Sequence, residues 1–275
     1  MTNLIRTLIW NDEVSLTLID GTKLCKQGEE IHGLYGVTDE IFAESLLFTA
    51  FLSACLKNDR GGVSLSVRGE RGIKDITVSG NKRLEIRGSI ETENAEQGVV
   101  LDSFTVIRDD GYSRPFVGTL AAVEGDMDAQ FEEYFRLSEQ LPTFFKSVTE
   151  FDENGKIIFA GMVVLQPLPF ATEENLARCK DEAFLFRAVE TLQKAGVKGC
   201  VEELFGSENL RMEERFSAYK CNCSREYLAG VLVSVGKDEL LKIVAEEGSV
   251  KIHCHYCNTD YEFNENDVEN MFSNK

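Results

Sequence analysis

Apolar and polar positions alternate in several short runs of this chain. VSLTLI (14–19), VSLSV (63–67) and LEIRGSI (84–90) place apolar side chains at every second position, the period of a strand with one buried face. Denser apolar runs, FTVI (104–107), PFVGTLAAV (115–123), FFKSVTE (144–150) and IIFAGMVVLQ (157–166), predict further strands. KNDRGG (57–62), SGNK (79–82), RDDGYS (108–113) and DENGK (152–156) supply turn residues between several of them. Two stretches follow the helical period instead. One runs from about Asp39 to Lys57, with Thr38 placed to cap it. Its apolar stretch IFAESLLFTAFLSACL (41–56) is interrupted by Glu44 and predicts a buried helix. The other covers MDAQFEEYFRLSEQ (127–140) and stops ahead of Leu141-Pro142. Clustered strands, with helices between only some of them, predict an α+β core domain with a largely antiparallel sheet over residues 1–171.

The texture changes after PLPF (167–170). Residues 172–220 carry ten acidic and eight basic side chains. DEAFLFRAVETLQKAG (181–196) has helical spacing, with Phe184, Val189 and Leu192 on one stripe and a stop expected at Gly196. A helix this charged keeps its shape mainly by docking on something else, so 172–220 is expected to be a marginal helical linker. Residues 221–275 form a third unit. Ser224 can cap a helix through REYLAGVLVSV, and KDELLKIVAEEG (237–248) predicts a second. SVKIH and DYEF predict a short hairpin, and Asn264 can cap a last helix through ENDVENMF. A unit of roughly 55 residues buries little core and needs a staple or a metal.

Composition narrows the function classes. Apolar residues make up 43% of the 275 positions, enough for a real core, yet no run reaches the roughly 18 to 20 needed to span a bilayer. The start, MTNLIRTLIWNDEV, lacks the apolar stretch and small-residue cleavage site of a secretory signal. Eight cysteines in such a chain are expected in a reducing, cytoplasmic compartment, as thiols, metal ligands or redox groups. A net charge of −18 repels nucleic-acid backbones and anionic lipid heads, so neither is an expected partner.

Four of the cysteines arrive as C-x-C (Cys221, Cys223) and C-x-x-C (Cys254, Cys257), separated by thirty residues. Such spacing lets two pairs of thiolates close a tetrahedron on one zinc ion. His253 and His255 flank the second pair, but four sulfurs already fill the site, so both are expected to stand outside it. A zinc-ribbon nucleic-acid binder would share this pattern, but ten acidic against five basic residues in 221–275 leave no basic footprint. A thiol-disulfide oxidoreductase would need a βαβ context and a helix N-terminus beside one cysteine, and neither is evident. Cys25, Cys55, Cys179 and Cys200 have no partner at metal spacing and are expected to be structural thiols. SEQLPT (138–143) sets Ser138 beside Glu139, but none of the three histidines has an evident place beside it, so a serine triad is poorly supported. Neighbouring thiols also allow oxidation to a disulfide, which would eject the metal and unfold the small unit.

CNCSREYLAGVL and IHCHYCNTDYEF, together with YFRLSEQLPT (134–143) and AGMVVLQPLP (160–169), resemble the redox-regulated holdase chaperones called heat shock protein 33, or 33 kDa chaperonin. The resemblance runs over nearly the whole chain, with one departure: GERG (69–72) stands where the family commonly has a G-D-G-P-like turn. It implies a non-enzymatic, ATP-independent holdase, inactive while Cys221, Cys223, Cys254 and Cys257 hold one zinc ion in the reduced state. Oxidation would form Cys221–Cys223 and Cys254–Cys257 disulfides, release the zinc, unfold the linker and expose apolar surface for unfolded client proteins. The active form would be a homodimer, and its occasion oxidative stress.

Overall fold

The computed structural model describes residues 2–206 and 210–273, and the chain divides into two compact units, Met1–Tyr219 and Lys220–Lys275. The fold is α+β with largely antiparallel sheets. In the first sheet β1 (Leu4–Ile9) and β2 (Val14–Asp20) form a hairpin; β8 (Ile157–Pro167) pairs with β2, and β7 (Phe144–Phe151) with β8. The second sheet is built from β3 (Gly62–Asn81), β4 (Glu85–Glu93), β5 (Val100–Asp109) and β6 (Phe116–Ala121). Two short strands late in this unit finish the sheets: β9 (Glu213–Arg215) pairs with β1, and β10 (Ala218–Tyr219) lies parallel to β4.

Between these sheets lie α1 (Thr22–His32) and α2 (Gly36–Ala54). Phe42, Leu46, Phe48 and Phe51 of α2 share one core with Leu4, Ile19, Met162 and Val164 of the first sheet and Val63, Leu65, Ile76 and Val78 of the second. A helix covered on every side needs apolar residues all round, which is the pattern of 41–56. α2 begins earlier than its periodicity suggests. Thr38 is therefore already inside it, its Oγ1 donating to the Tyr35 carbonyl at 3.0 Å, and is not the cap. The GERG stretch also departs from expectation. β3 runs straight through it, its pairing with β5 slipping between Arg68 and Arg71. A Cβ on Gly69 would stand 2.3 Å from the Ile73 carbonyl oxygen, and Gly72 has φ 81°, so the glycines build a bulge rather than a turn. Farther along, α3 (Met127–Tyr134) is capped by Asp126, whose Oδ1 accepts from Ala129 N at 3.1 Å. A π-helical turn over Phe135–Glu139 follows and ends at Gln140 in the left-handed region.

The first sheet is buried on its other face as well. Ile5, Ile9, Val14, Leu16, Leu18, Val163 and Leu165 point into a second core, closed by α4 (Glu173–Cys179) and α5 (Glu182–Phe205). Successive residues of β8 thus enter different cores, Met162 and Val164 one, Val163 and Leu165 the other. Two-sided burial explains why 157–166 reads as a continuous apolar run. α4 and α5 form a strap across this face. Val189 and Leu192 are buried in it and Phe184 packs against it. Gly196 does not stop α5. It kinks the helix, with φ 69° and ψ 178°, and the helix resumes to Phe205.

The β1–β2 turn grips the strap. Trp10, Asn11 and Asp12 take φ of 52°, 60° and 60°, a left-handed run rare for residues with a Cβ. It points the Trp10 ring at Phe184 (centroids 5.3 Å apart) and Phe205 (6.2 Å), with the Arg178 guanidinium 5.6 Å from its centre. Glu13 Oε2 accepts from Thr172 N, Thr172 Oγ1 and Asn175 Nδ2, each at 2.8 Å. These donors at the start of α4 hold the Glu13 carboxyl below its ordinary pKa.

In the second unit α6 (Arg225–Val233), α7 (Lys237–Glu247) and α8 (Glu265–Ser273) surround the hairpin of β11 (Val250–Cys254) and β12 (Thr259–Phe263). Ser224 Oγ accepts from Tyr227 N at 3.1 Å and Asn264 Oδ1 from Asp267 N at 3.0 Å, so both expected caps form. Only Leu232, Leu240, Val250, Phe263 and Val268 are buried among the described apolar residues here.

Candidate metal centre

The local chain geometry brings the four expected cysteines together. Cys221 and Cys223 lie just ahead of the extended Ser224 cap of α6. Cys254 ends β11, and its carbonyl accepts from Cys257 N (3.3 Å) and Asn258 N (2.8 Å). Asn258, with φ 54°, turns the chain into β12. All four sulfurs lie within 4.8 Å of one another. Cys221 Sγ is 3.7 Å from Cys254 Sγ, and Cys223 Sγ is 3.2 Å from Cys257 Sγ. None of the eight cysteines is in a disulfide. Tetrahedral zinc with Zn–S of about 2.3 Å sets its sulfurs about 3.8 Å apart, so four soft donors at these separations fit such an ion.

The surroundings adjust the thiols. Burial raises Cys221, Cys223 and Cys257. At Cys254 burial opposes ionisation too, but the N–H groups of Tyr256 and Cys257 and the thiols of Cys223 and Cys257 prevail, bringing it down to about 7. Tyr261, whose hydroxyl lies 3.3 Å from Cys223 Sγ, is pushed up to about 12 by that bond. Tyr261 was not singled out from the sequence; its signal is the alternation in TDYEF, which turns Tyr261 and Thr259 to one side of the strand.

His253 and His255 stand outside the four-sulfur group. His253 Nδ1 lies 2.7 Å from Asp260 Oδ1, its partner across the hairpin, and the two imidazole rings are 4.9 Å apart. Among the described residues no other cluster could hold a metal. Cys25, Cys179 and Cys200 are buried and Cys55 half-buried. SEQLPT begins in the last two residues of the π-helical turn, where Glu139 Oε1 accepts from Arg108 Nη1 (2.6 Å) and Tyr134 OH (2.7 Å). The remaining histidine, His32, lies with Gly88 O and Tyr219 OH, at 2.9 and 3.3 Å.

Fold and site together define an α+β protein with a small C-terminal unit whose four cysteines could hold a metal ion. The sequence model of the Hsp33 protein family matches residues 2–264, and the chain belongs to that family of chaperones. It is 28% identical over 284 residues to a 33 kDa chaperonin of Bacillus cytotoxicus, covering 98% of this chain and 97% of that one. A 33 kDa chaperonin of Bacillus cereus is 29% identical over 287 residues, covering 98% of each. Among solved structures, the 33 kDa chaperonin (heat shock protein 33 homolog) of Thermotoga maritima matches with a TM-score of 0.77 and 22% identity over 98% of both chains, a likeness of fold. No described helix is long and apolar enough to cross a membrane.

Proposed function

We propose that this protein is a redox-switched, ATP-independent holdase of the cytoplasm, with no enzymatic turnover. The observation that carries this reading is four thiol sulfurs within 4.8 Å in a unit where only five of the described apolar side chains are buried. A core that small does not hold a fold by itself. Reduced Cys221, Cys223, Cys254 and Cys257 hold one zinc ion, which supplies this unit with folding free energy. Peroxide takes two electrons and two protons from each thiol pair and becomes two waters, leaving Cys221–Cys223 and Cys254–Cys257 disulfides. Disulfide sulfurs are poor ligands, so the metal leaves and the unit unfolds.

The chain passes directly from β10 into this unit, so its unfolding releases the C-terminal end of the segment we take as the metastable linker, 172–220. The strap within it holds its helices by docking, and lifting it uncovers Ile5, Ile9, Val14, Leu16, Leu18, Val163 and Leu165. An apolar face of that extent, on a molecule of net charge −18, binds apolar segments of unfolded proteins and stays in solution while doing so. The open form pairs into a homodimer, and re-reduction lets clients go.

Light scattering of a heat-unfolded client tests this. Reduced, zinc-loaded protein should suppress aggregation weakly, and protein treated with peroxide at mild heat should suppress it strongly. Equal suppression by both forms would remove the switch.

A further inference from the structure

Two thiols outside the cluster lie at the seam between the strap and the first sheet. Cys179 ends α4 and Cys200 lies in the second half of α5; each is 0% exposed, within the core that the strap closes. Cys200 Sγ donates to the Ala188 carbonyl at 3.5 Å, across the corner that α5 makes at Gly196. A thiol therefore ties the two halves of the kinked helix. Cys25 is buried equally, but in the other core, where its Sγ donates to the Ala43 carbonyl at 3.6 Å. No strap residue belongs to that core, which distinguishes its seal from that of the other two.

We propose, resting on the switch described above, that Cys179 and Cys200 are a second set of thiol-modification sites, closed while the strap is docked and open to S-thiolation by low-molecular-weight disulfides once it lifts. The thiolate attacks one sulfur of the small disulfide. That S–S bond breaks, a new S–S bond forms to the cysteine, and the other half leaves as a thiolate that takes up the proton the cysteine lost. Docked, both groups are protected twice. No disulfide reaches them, and burial pushes each thiol up to about 12. In a lifted, solvated strap they return to about 8.5, which raises the thiolate fraction near neutrality about a thousandfold; the lower intrinsic nucleophilicity offsets part of this.

The modification also acts on the strap. A close-packed seam has no room for a tripeptide on Cys200. A modified strap does not fit back, and the protein stays open until the mixed disulfides are reduced.

Two experiments on the full chain test this. In the first, reduced zinc-loaded protein and peroxide-opened protein are incubated with oxidised glutathione. Adducts are mapped by mass, with amide exchange over 172–205 read in parallel. Adducts on Cys179 and Cys200 should form about a hundredfold faster in the opened protein, with none on Cys25. An open strap whose cysteines react no faster than before overturns the inference and leaves the switch standing. A strap that stays protected after oxidation, with neither thiol modified, overturns both. Adducts on Cys25 at a matching rate mean general unfolding and also overturn it. In the second, opened protein is alkylated with iodoacetamide while the four switch cysteines are locked in disulfides, then reduced and given zinc. Amides of 172–205 should stay unprotected, whereas a Cys179→Ala/Cys200→Ala variant carried through the same steps should close again. Recovery of protection in the alkylated wild type would remove the trapping role.

Discussion

Glu44 shows how much a single side chain can reveal. In the sequence it is the acidic interruption of an apolar helix; in the fold it is buried in α2 and accepts from Ser147 Oγ at 3.0 Å. Burial, with Asp128 nearby, raises its carboxyl to about 8. The folded chain therefore keeps a proton that the unfolded chain releases near pH 4.3. This contribution is fully present below that value and is lost as pH rises through 8, with a slope approaching about 1.4 kcal/mol per pH unit. Burial raises Asp39 to about 7, which adds a slope of the same sign over a lower range. Urea unfolding of the wild type should therefore show a midpoint that falls between pH 5 and 8. Glu44→Gln keeps an acceptor for Ser147 and should flatten that fall; an unchanged slope would contradict the assignment. Another residue-level test concerns the cysteines. Cys257→Ser should lower zinc affinity and unfold residues 220–275 while leaving the amide protection of α2 intact. Retention of wild-type zinc affinity would remove Cys257 from the ligand set.

Elements were legible where one environment governed them. α6, α8 and the β11–β12 hairpin read directly, because caps, turn residues and period agree there, and α7 reads from its period. The four cysteines were equally legible, since their spacing alone puts two pairs at the ends of short elements. β1 carries no alternation in the sequence because Leu4 and Ile5 enter different cores. The signal of α1 is weakened by Gly28, where a Cβ would stand 3.0 Å from both Leu46 and Phe42; the glycine serves close helix packing rather than a turn. The grip of the β1–β2 turn on the strap is a contact between distant stretches, and no local pattern announces it. It makes a test available, because Trp10 is the chain's single tryptophan. Lifting the strap removes Phe184 and Phe205 from its ring, so its emission should shift to the red on oxidation. Trp10→Ala should loosen the strap in reduced, zinc-loaded protein, seen as faster proteolysis within 172–205 without loss of zinc. Unchanged cleavage would show that the turn does not hold the strap.

At the scale of the molecule, two cores of unequal security share one sheet. The core around α2 is closed between two sheets, and its buried residues all belong to the first unit. The core under the strap is closed by helices that depend on docking. Oxidation should thus open one and spare the other. Amide hydrogen exchange across the chain, followed after peroxide addition alongside free-thiol and zinc content, measures this directly. Protection should be lost over 172–205 and 221–273 in step with about four thiols and one zinc ion, while α2 keeps its protection. Loss of the thiols and zinc with 172–205 still protected, or loss of α2 together with the strap, would contradict the account.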